Sequence, residues 1–420
     1  MVKTYSDKEV TVIDWGLFLP VAQRLASDFK KVNYHVPRES GFPTANRYKI
    51  GDGLDGITRV DEDDLWKAID RSDLIVFPDV GDGGLQEYLR KHGKKVFGTG
   101  RGENLELDRQ WFREGLKKLG LPVIPYRVVK GIDSLRKVFR EEKDKWVKIS
   151  TFRGLGETFH HQDYTKSLPW IDSITHKSGP YQQYMEFLVE DSMPGVEVGS
   201  DWFFTNGQYL NKGMYGIEVK DKGYICKVID HDKLPKKIQE VDSKMAPVMK
   251  SLGVMGAIST EVRIGKDGKP YFIDSCQRFG SPPGETITEM YSNFSELVWG
   301  CANGEAVEPK PIAKYGAQIV LYSEFAIKEW CPVDIPKEIE HRVKLRNLCK
   351  IRGQNYIIPQ DDNNAIGSAL GFGKTLEEAQ VNALETAERV EAEGVYFFDN
   401  TFEKADAYLE DAKKFGVGFD

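Results

Sequence analysis

Short apolar runs alternate with helical spacing over the first hundred residues. Val10-Thr11-Val12-Ile13-Asp14 is an apolar run ending in turn chemistry, Leu17 to Phe29 has helical spacing, and Val32 to Val36 is apolar again. Glu62 to Ile69 predicts a helix, Asp73 to Pro78 a strand, Gly84 to His92 a helix and Lys95 to Gly98 a strand. Strands alternating with helices imply right-handed crossovers and a doubly wound parallel sheet, which takes ligands at the carboxyl ends of its strands. Asp14-Trp15-Gly16 and Pro78 to Gly84 occupy those ends. No G-x-G-x-x-G follows the first strand, which argues against a dinucleotide site.

The pattern then changes. Glu106 to Leu119 predicts a helix that Gly120-Leu121-Pro122 stops. Val123 to Val129, a helix around Ser134 to Glu142, and Trp146 to Ile149 form a small unit. Strands are expected over Tyr181 to Leu188, Val196 to Thr205, Gly213 to Glu218 and Tyr224 to Ile229, with a helix over Pro235 to Ser251. Gly265-Lys266-Asp267-Gly268 joins Ser259 to Ile264 with Pro270 to Ile273 as a hairpin. Glu285 to Ala302 and Thr375 to Glu393 read as helices, Asn303 to Pro311 as a linker, and Ala317 to Leu321 and Asn355 to Ile358 as strands. The tail after Asp399 reads as a solvated helix.

A length of 420 residues suggests two to four structural units, at roughly 150 residues each. The net charge of −7 argues against a general nucleic-acid surface, which needs a basic field, and leaves room for a local basic pocket. No apolar run approaches the ~18 residues of a membrane helix. The first ten residues lack a signal-peptide core. Cys226, Cys276, Cys301, Cys331 and Cys349 are an odd set without close pairing, which suits reduced thiols in a cytoplasmic protein.

The hairpin carries the most chemistry. Side chains alternate faces along a strand, so Glu261 and Asp274 can lie on one face as neighbours, and Arg278 follows four residues later. Two acids beside an arginine suit a Mg²⁺-nucleotide site, with hard oxygens for the metal and a guanidinium for phosphate. Lys148 stands in the apolar run Trp146-Val147-Lys148-Ile149, where a lysine must be paired or reach solvent. Arg153, Gly154 and Gly156 follow it in a loop that reads alone as a hairpin turn and, after Lys148, as a phosphate-covering flap. Gln183 to Glu190, with Glu186 and Leu188, is either a strand reading a base edge through its backbone or an edge strand with exposed acids. Glu197 suits a ribose hydroxyl pair, and Arg109 by itself is a surface charge.

Together these pieces resemble the ATP-grasp family, and within it the glycinamide ribonucleotide synthetases (phosphoribosylamine–glycine ligases). Asp108-Arg109-Gln110-Trp111-Phe112 through Gly120-Leu121-Pro122 is similar to the family's "S-K-x-F … G-I-P", and Glu186-Phe187-Leu188 to its "E-E-F-L". Arg278-Phe279-Gly280 is similar to "N-x-R-F-G" and Gly367 to Ala379 to the synthetase C-terminal domain. The resemblance implies an α/β ATP-grasp fold. Its domains would be a doubly wound N-terminal domain at 1–105, a two-lobed ATP-binding core at 106–308 with a lid at about 121–187, and a small C-terminal domain at 309–420.

The resemblance also implies ATP with Mg²⁺ or Mn²⁺. Arg109 and Lys148 would hold phosphates, Arg153, Gly154 and Gly156 would form the flap, Glu186 and Leu188 would meet adenine, and Glu197 would meet ribose. Glu261, Asp274 and Cys276 fall at the metal-ligand positions, and Arg278 at the catalytic one. The implied activity is a carboxylate–amine ligase that forms an acyl phosphate and acts on small molecules, compatible with a homodimer.

Three departures stand out. Cys276 replaces an asparagine, and thiol is a poor Mg²⁺ ligand. Asp274 replaces a glutamate. Asp14-Trp15-Gly16-Leu17 stands where the synthetases carry "G-x-G-G-R-E-H", which bears on the substrate more than on ATP. The alternative is a nucleotide-binding homologue without ligase activity.

Overall fold

The computed structural model describes residues 4–37, 49–150, 158–359 and 363–419. Two compact units emerge. The first comprises Met1–Glu103, Glu197–Glu261 and Cys276–Asp420, and the second Asn104–Val196 and Val262–Ser275. No helix among the described residues is long and apolar enough to cross a membrane.

The chain begins with β1 (Tyr5–Ile13), α1 (Leu19–Ala26), β2 (Phe29–His35), β3 (Ile57–Arg59), α2 (Glu62–Arg71), β4 (Leu74–Val76), α3 (Gly83–Lys91) and β5 (Val96–Phe97). The strands form the expected parallel sheet, in the order β3-β2-β1-β4-β5. Ile13, Ile69, Ile75, Phe77, Leu89 and Val96 make one of its buried cores. Strand order reverses between β1 and β4, the position at which such sheets take ligands. Asp14 follows β1 there, fully buried, with Oδ2 accepting from the Tyr34 hydroxyl at 2.7 Å and Phe18 N at 3.0 Å.

The second unit opens with α4 (Asn104–Leu107) and α5 (Arg109–Lys118). The single helix expected here breaks at Asp108, whose carboxylate caps α5 by accepting from Trp111 N at 2.9 Å. Then come β6 (Tyr126–Lys130), α6 (Ile132–Glu141), β7 (Lys145–Ile149), β8 (Thr158–His161), α7 (Tyr164–Ser178) and β9 (Glu186–Asp191). The sequence pattern does not announce α7. The strand expected from Tyr181 starts only at Glu186, because Gly179–Gln183 forms a 3₁₀ turn. The sheet order is β6-β9-β7-β8. One face buries Val129, Val147, Phe187 and Val189 among Leu135, Phe139, Ile171 and Ile174. Each such side chain contributes roughly 1.5–3 kcal/mol on burial. By alternation Lys148, Leu188 and Glu190 fall on the opposite face.

The chain continues through β10 (Gly195–Thr205), β11 (Gln208–Tyr209), β12 (Lys212–Val219), β13 (Gly223–Asp230), α8 (Lys236–Ser251), β14 (Gly256–Gly265) and β15 (Pro270–Cys276). The predicted hairpin is closed by Gly265 N donating to Lys269 O at 3.0 Å. The helix expected over Glu285 to Ala302 is two, α9 (Gly284–Met290) and α10 (Phe294–Ala302). Asn293 interrupts them, its Oδ1 accepting from Lys310 N and its amide donating to Glu308 O, both at 2.9 Å.

The remaining elements are β16 (Tyr315–Ser323), β17 (Cys331–Asp334), β18 (Val343–Leu345), β19 (Leu348–Ile351), β20 (Gln354–Ile357), β21 (Ala365–Gly373), α11 (Leu376–Ala387), β22 (Glu391–Ala392), β23 (Val395–Tyr396) and α12 (Thr401–Lys414). A long sheet of the first unit runs β14-β10-β12-β13-β16-β21-β18. The helix expected to Glu393 stops at Ala387. The tail helix is amphipathic rather than solvated all round, since Phe402, Ala405, Leu409 and Ala412 are buried.

Candidate active site

β7 and α5 bring three cations to one place in the second unit. Lys148 projects from the face of β7 turned away from the apolar core and is only 4% exposed. Its Nζ donates to Asp274 Oδ2 at 2.7 Å and to Ile273 O at 3.2 Å. Arg109, in the first turn of α5, donates through Nη1 to Asp274 Oδ1 at 2.7 Å. One turn later Arg113 donates through Nε to Glu190 Oε1 at 2.5 Å and through Nη2 to Ile273 O at 2.6 Å. Glu190 also lies 3.6 Å from Lys148.

Three bases therefore face two carboxylates. Burial alone would raise the pKa of Asp274. The charges of Lys148, Arg109 and Arg113 outweigh it and hold that carboxyl well below the usual range. Glu190 is likewise lowered despite its burial, by Lys148 and Arg113.

The expected Arg109, Lys148 and Asp274 are thus brought together. Sequence reading assigned no role to Arg113 or Glu190. Arg113 could have been found as the residue one helical turn after Arg109, and Glu190 as the acid two strand positions after Leu188 on the same face.

Beside these groups lies a cleft of about 330 Å³ lined by Leu107, Asp108, Gln110, Val128, Ser150, Glu186, Phe187 and Leu188. Leu188 and Glu186 of β9 therefore face a cavity of the second unit, with Leu188 buried and Glu186 exposed. The acid on β9 that turns into the basic centre is Glu190. Arg153, Gly154 and Gly156 lie outside the described residues.

Glu197, Glu261, Cys276 and Arg278 belong to the first unit. Arg278 Nε lies 3.4 Å from Asp79 Oδ1, and its Nη1 donates to Phe279 O at 2.9 Å. Thr99 donates to Gln277 O at 2.7 Å and Phe279 N to Pro78 O at 3.3 Å, which ties the segment to the loops after β4 and β5. Acids crowd this end of the parallel sheet. Burial, then Glu103 and Asp79, push Asp82 up to about 6, and burial pushes Asp14 up to about 7.

After Arg278 the chain is pinned by a buried network that sequence reading missed. Arg346 donates to Glu285 Oε1 through Nε at 3.0 Å and Nη2 at 2.7 Å, and to Ser281 Oγ at 2.9 Å. Gln318 donates to Glu285 Oε2 at 3.0 Å and Ser368 Oγ at 2.8 Å, while Thr286 donates to Gln318 at 2.7 Å.

The residues can be tested against the ligands the sequence implied. A purine fits a cleft with apolar Leu107, Val128 and Leu188 and a polar rim, and Arg109 and Lys148 fit phosphate oxygens. The donor set fits a hard cation in part. Asp274 stays ionised, but both its oxygens are held by Lys148 and Arg109. Among the described residues no three of His, Cys, Asp and Glu gather as a metal site. No disulfide joins Cys226, Cys276, Cys301, Cys331 or Cys349.

No family model and no curated protein matches the chain. Solved structures do. Phosphoribosylamine–glycine ligase of Thermotoga maritima superposes with a TM-score of 0.68 at 18% identity, covering 93% of this chain and 98% of that one. The biotin carboxylase domain of the Hydrogenobacter thermophilus 2-oxoglutarate carboxylase, solved with MgADP, ADP and bicarbonate, gives 0.67 at 14% identity, covering 97% and 98%. An L-amino acid ligase of Bacillus licheniformis gives 0.57 at 14%, covering 94% and 99%. At such identities the likeness is one of fold, and the fold is ATP-grasp.

Proposed function

We propose that the protein is an ATP- and Mg²⁺-dependent ligase that activates a carboxylate as an acyl phosphate and joins it to an amine. The observation that carries this reading is the Lys148–Arg109–Asp274 cluster beside the Leu188 cleft. Three bases against two acids leave one positive charge in excess, a centre ready for a polyphosphate. Two of the fold neighbours, the Thermotoga maritima and Bacillus licheniformis proteins, are named as ligases, and the Hydrogenobacter thermophilus one was solved with MgADP.

In this reading the cleft holds adenine between Leu188 and Val128, Glu197 takes the ribose hydroxyls, and Lys148 and Arg109 turn from Asp274 to the phosphates. Glu261 and the freed Asp274 would hold Mg²⁺, which would neutralise phosphate charge when bound. Cys276 is a weak third donor. Arg278 would stabilise the transferring phosphoryl. No side-chain nucleophile is required.

The test is a screen of purified protein with Mg²⁺-ATP, a panel of amino acids and other carboxylates, and hydroxylamine as a general trap for acyl phosphates. Hydroxamate with stoichiometric ADP is expected for at least one acid. ATP binding without ADP or hydroxamate across the panel would favour the second reading, a nucleotide-binding homologue without ligase chemistry. The observation behind that second reading is Cys276 at the metal position.

A further inference from the structure

Glu218 is a shielded acid that the reaction above leaves without a task. It stands on β12 opposite Tyr224 of β13, and Tyr224 stands opposite Gln318 of β16. These residues form one rung across the sheet and share its face. The β10–β12 register pairs Gly199 with Gly216, and two residues farther along each strand stand Glu197 and Glu218, on that same face. The charge of Glu197 reaches Glu218. At the far end of the rung Gln318 anchors the Glu285–Arg346 pair. Among the described residues the Glu218 carboxyl makes no hydrogen bond or ion pair.

We propose that Glu218 is the general base that takes the proton of the attacking ammonium group. The inference rests on the ligase reading. The ammonium gives one proton to the Glu218 carboxylate. The freed nitrogen lone pair forms the C–N bond at the acyl carbon, and the C–O bond to phosphate breaks. The second nitrogen proton leaves with the phosphate as hydrogen phosphate, so charge and atoms balance.

The surroundings suit that role. Burial first, then Glu197, pushes the Glu218 carboxyl up to about 8, near the value a base needs at neutral to mildly alkaline pH. Lys220 opposes this rise, and Asp221 and Asp201 add to it. Tyr224 spends its hydroxyl proton on Asp201 at 2.7 Å, so Glu218 keeps its lone pairs. Tyr322, raised chiefly by burial and then by Asp221, also feels the charges of Arg346 and Glu218.

The experiment uses an acid found by the hydroxamate screen and two nucleophiles, the amine that wild-type protein turns over and hydroxylamine, which is already largely unprotonated at neutral pH. The amine rate should rise from about pH 6 to about pH 9, and Glu218→Gln should lower it by ~10²–10⁴-fold and shift the rise up to the titration of the free amine itself. Hydroxylamine should recover most of that loss. Glu218→Asp should keep the pH rise at a reduced rate, and ATP affinity by calorimetry should stay normal in both folded variants. A Glu218→Gln protein that keeps the amine rate, or loses both nucleophiles equally with normal ATP affinity, overturns the proposal. Absence of hydroxamate from the wild-type protein overturns the ligase reading itself, which is a separate outcome.

Discussion

Asp274 and Glu190 in the second unit and Asp14, Asp201 and Glu218 in the first are all shielded acids, yet their titration is displaced in opposite directions. The first pair meets Lys148, Arg109 and Arg113, whose charges overcome the cost of burial. The other three are governed by burial itself, which pushes Asp14 and Asp201 up to about 7 and Glu218 up to about 8. The difference is one of partners, not of residue type. The second unit stores charge already paired, which a polyanion can re-partner. The first stores protons, which a reaction can move.

The largest expected effect comes from breaking the paired side. Asp274→Asn removes the anion shared by Lys148 and Arg109, both nearly buried. It should abolish ADP formation and also lower stability by about 3–5 kcal/mol. Denaturant unfolding checks the second part, and wild-type stability in the variant would show that the two bases find other partners.

The next prediction contrasts the two sets by pH. Lowered carboxyls stabilise above their unfolded values and lose that contribution as pH falls. Raised carboxyls do the reverse, favouring the fold at low pH and losing that contribution as pH climbs through about 7 to about 8. Melting temperature should therefore be highest in mildly acidic buffer, and Glu218→Gln should flatten the decline on the alkaline side. An unchanged alkaline slope in that variant would place the titration elsewhere.

The smallest effect is expected at Cys276. Cys276→Asn restores an oxygen donor and should raise activity a few-fold at limiting Mg²⁺, with little change at saturation. Complete loss would mean that the thiol has its own role.

The parallel sheet was legible because apolar strand runs and helical spacing alternate cleanly up to Gly98. Lys148 was legible because an apolar strand cannot bury an unpaired ammonium. Its partner was not, since Asp274 lies 126 positions away. Arg113 and Glu190 escaped for the same reason, being 77 positions apart. The break between α9 and α10 depends on Asn293 bonding to residues beyond α10, which no local propensity reports. Glu218 reads in sequence as an ordinary strand acid. Only its register with Tyr224 and Glu197 shows that it shares their face.

The second unit is not one stretch of chain. Residues 104–196 make most of it, and 262–275 return through the β14–β15 hairpin. The gene segment and the folding unit therefore do not coincide. A fragment ending at Val196 would carry Arg109, Arg113 and Lys148 with only Glu190 to answer them. It would also lack the Ile273 carbonyl that both Lys148 and Arg113 use. Recombination at either boundary would separate charges that need one another, so this part of the protein is inherited whole or requires the hairpin to be grafted with it.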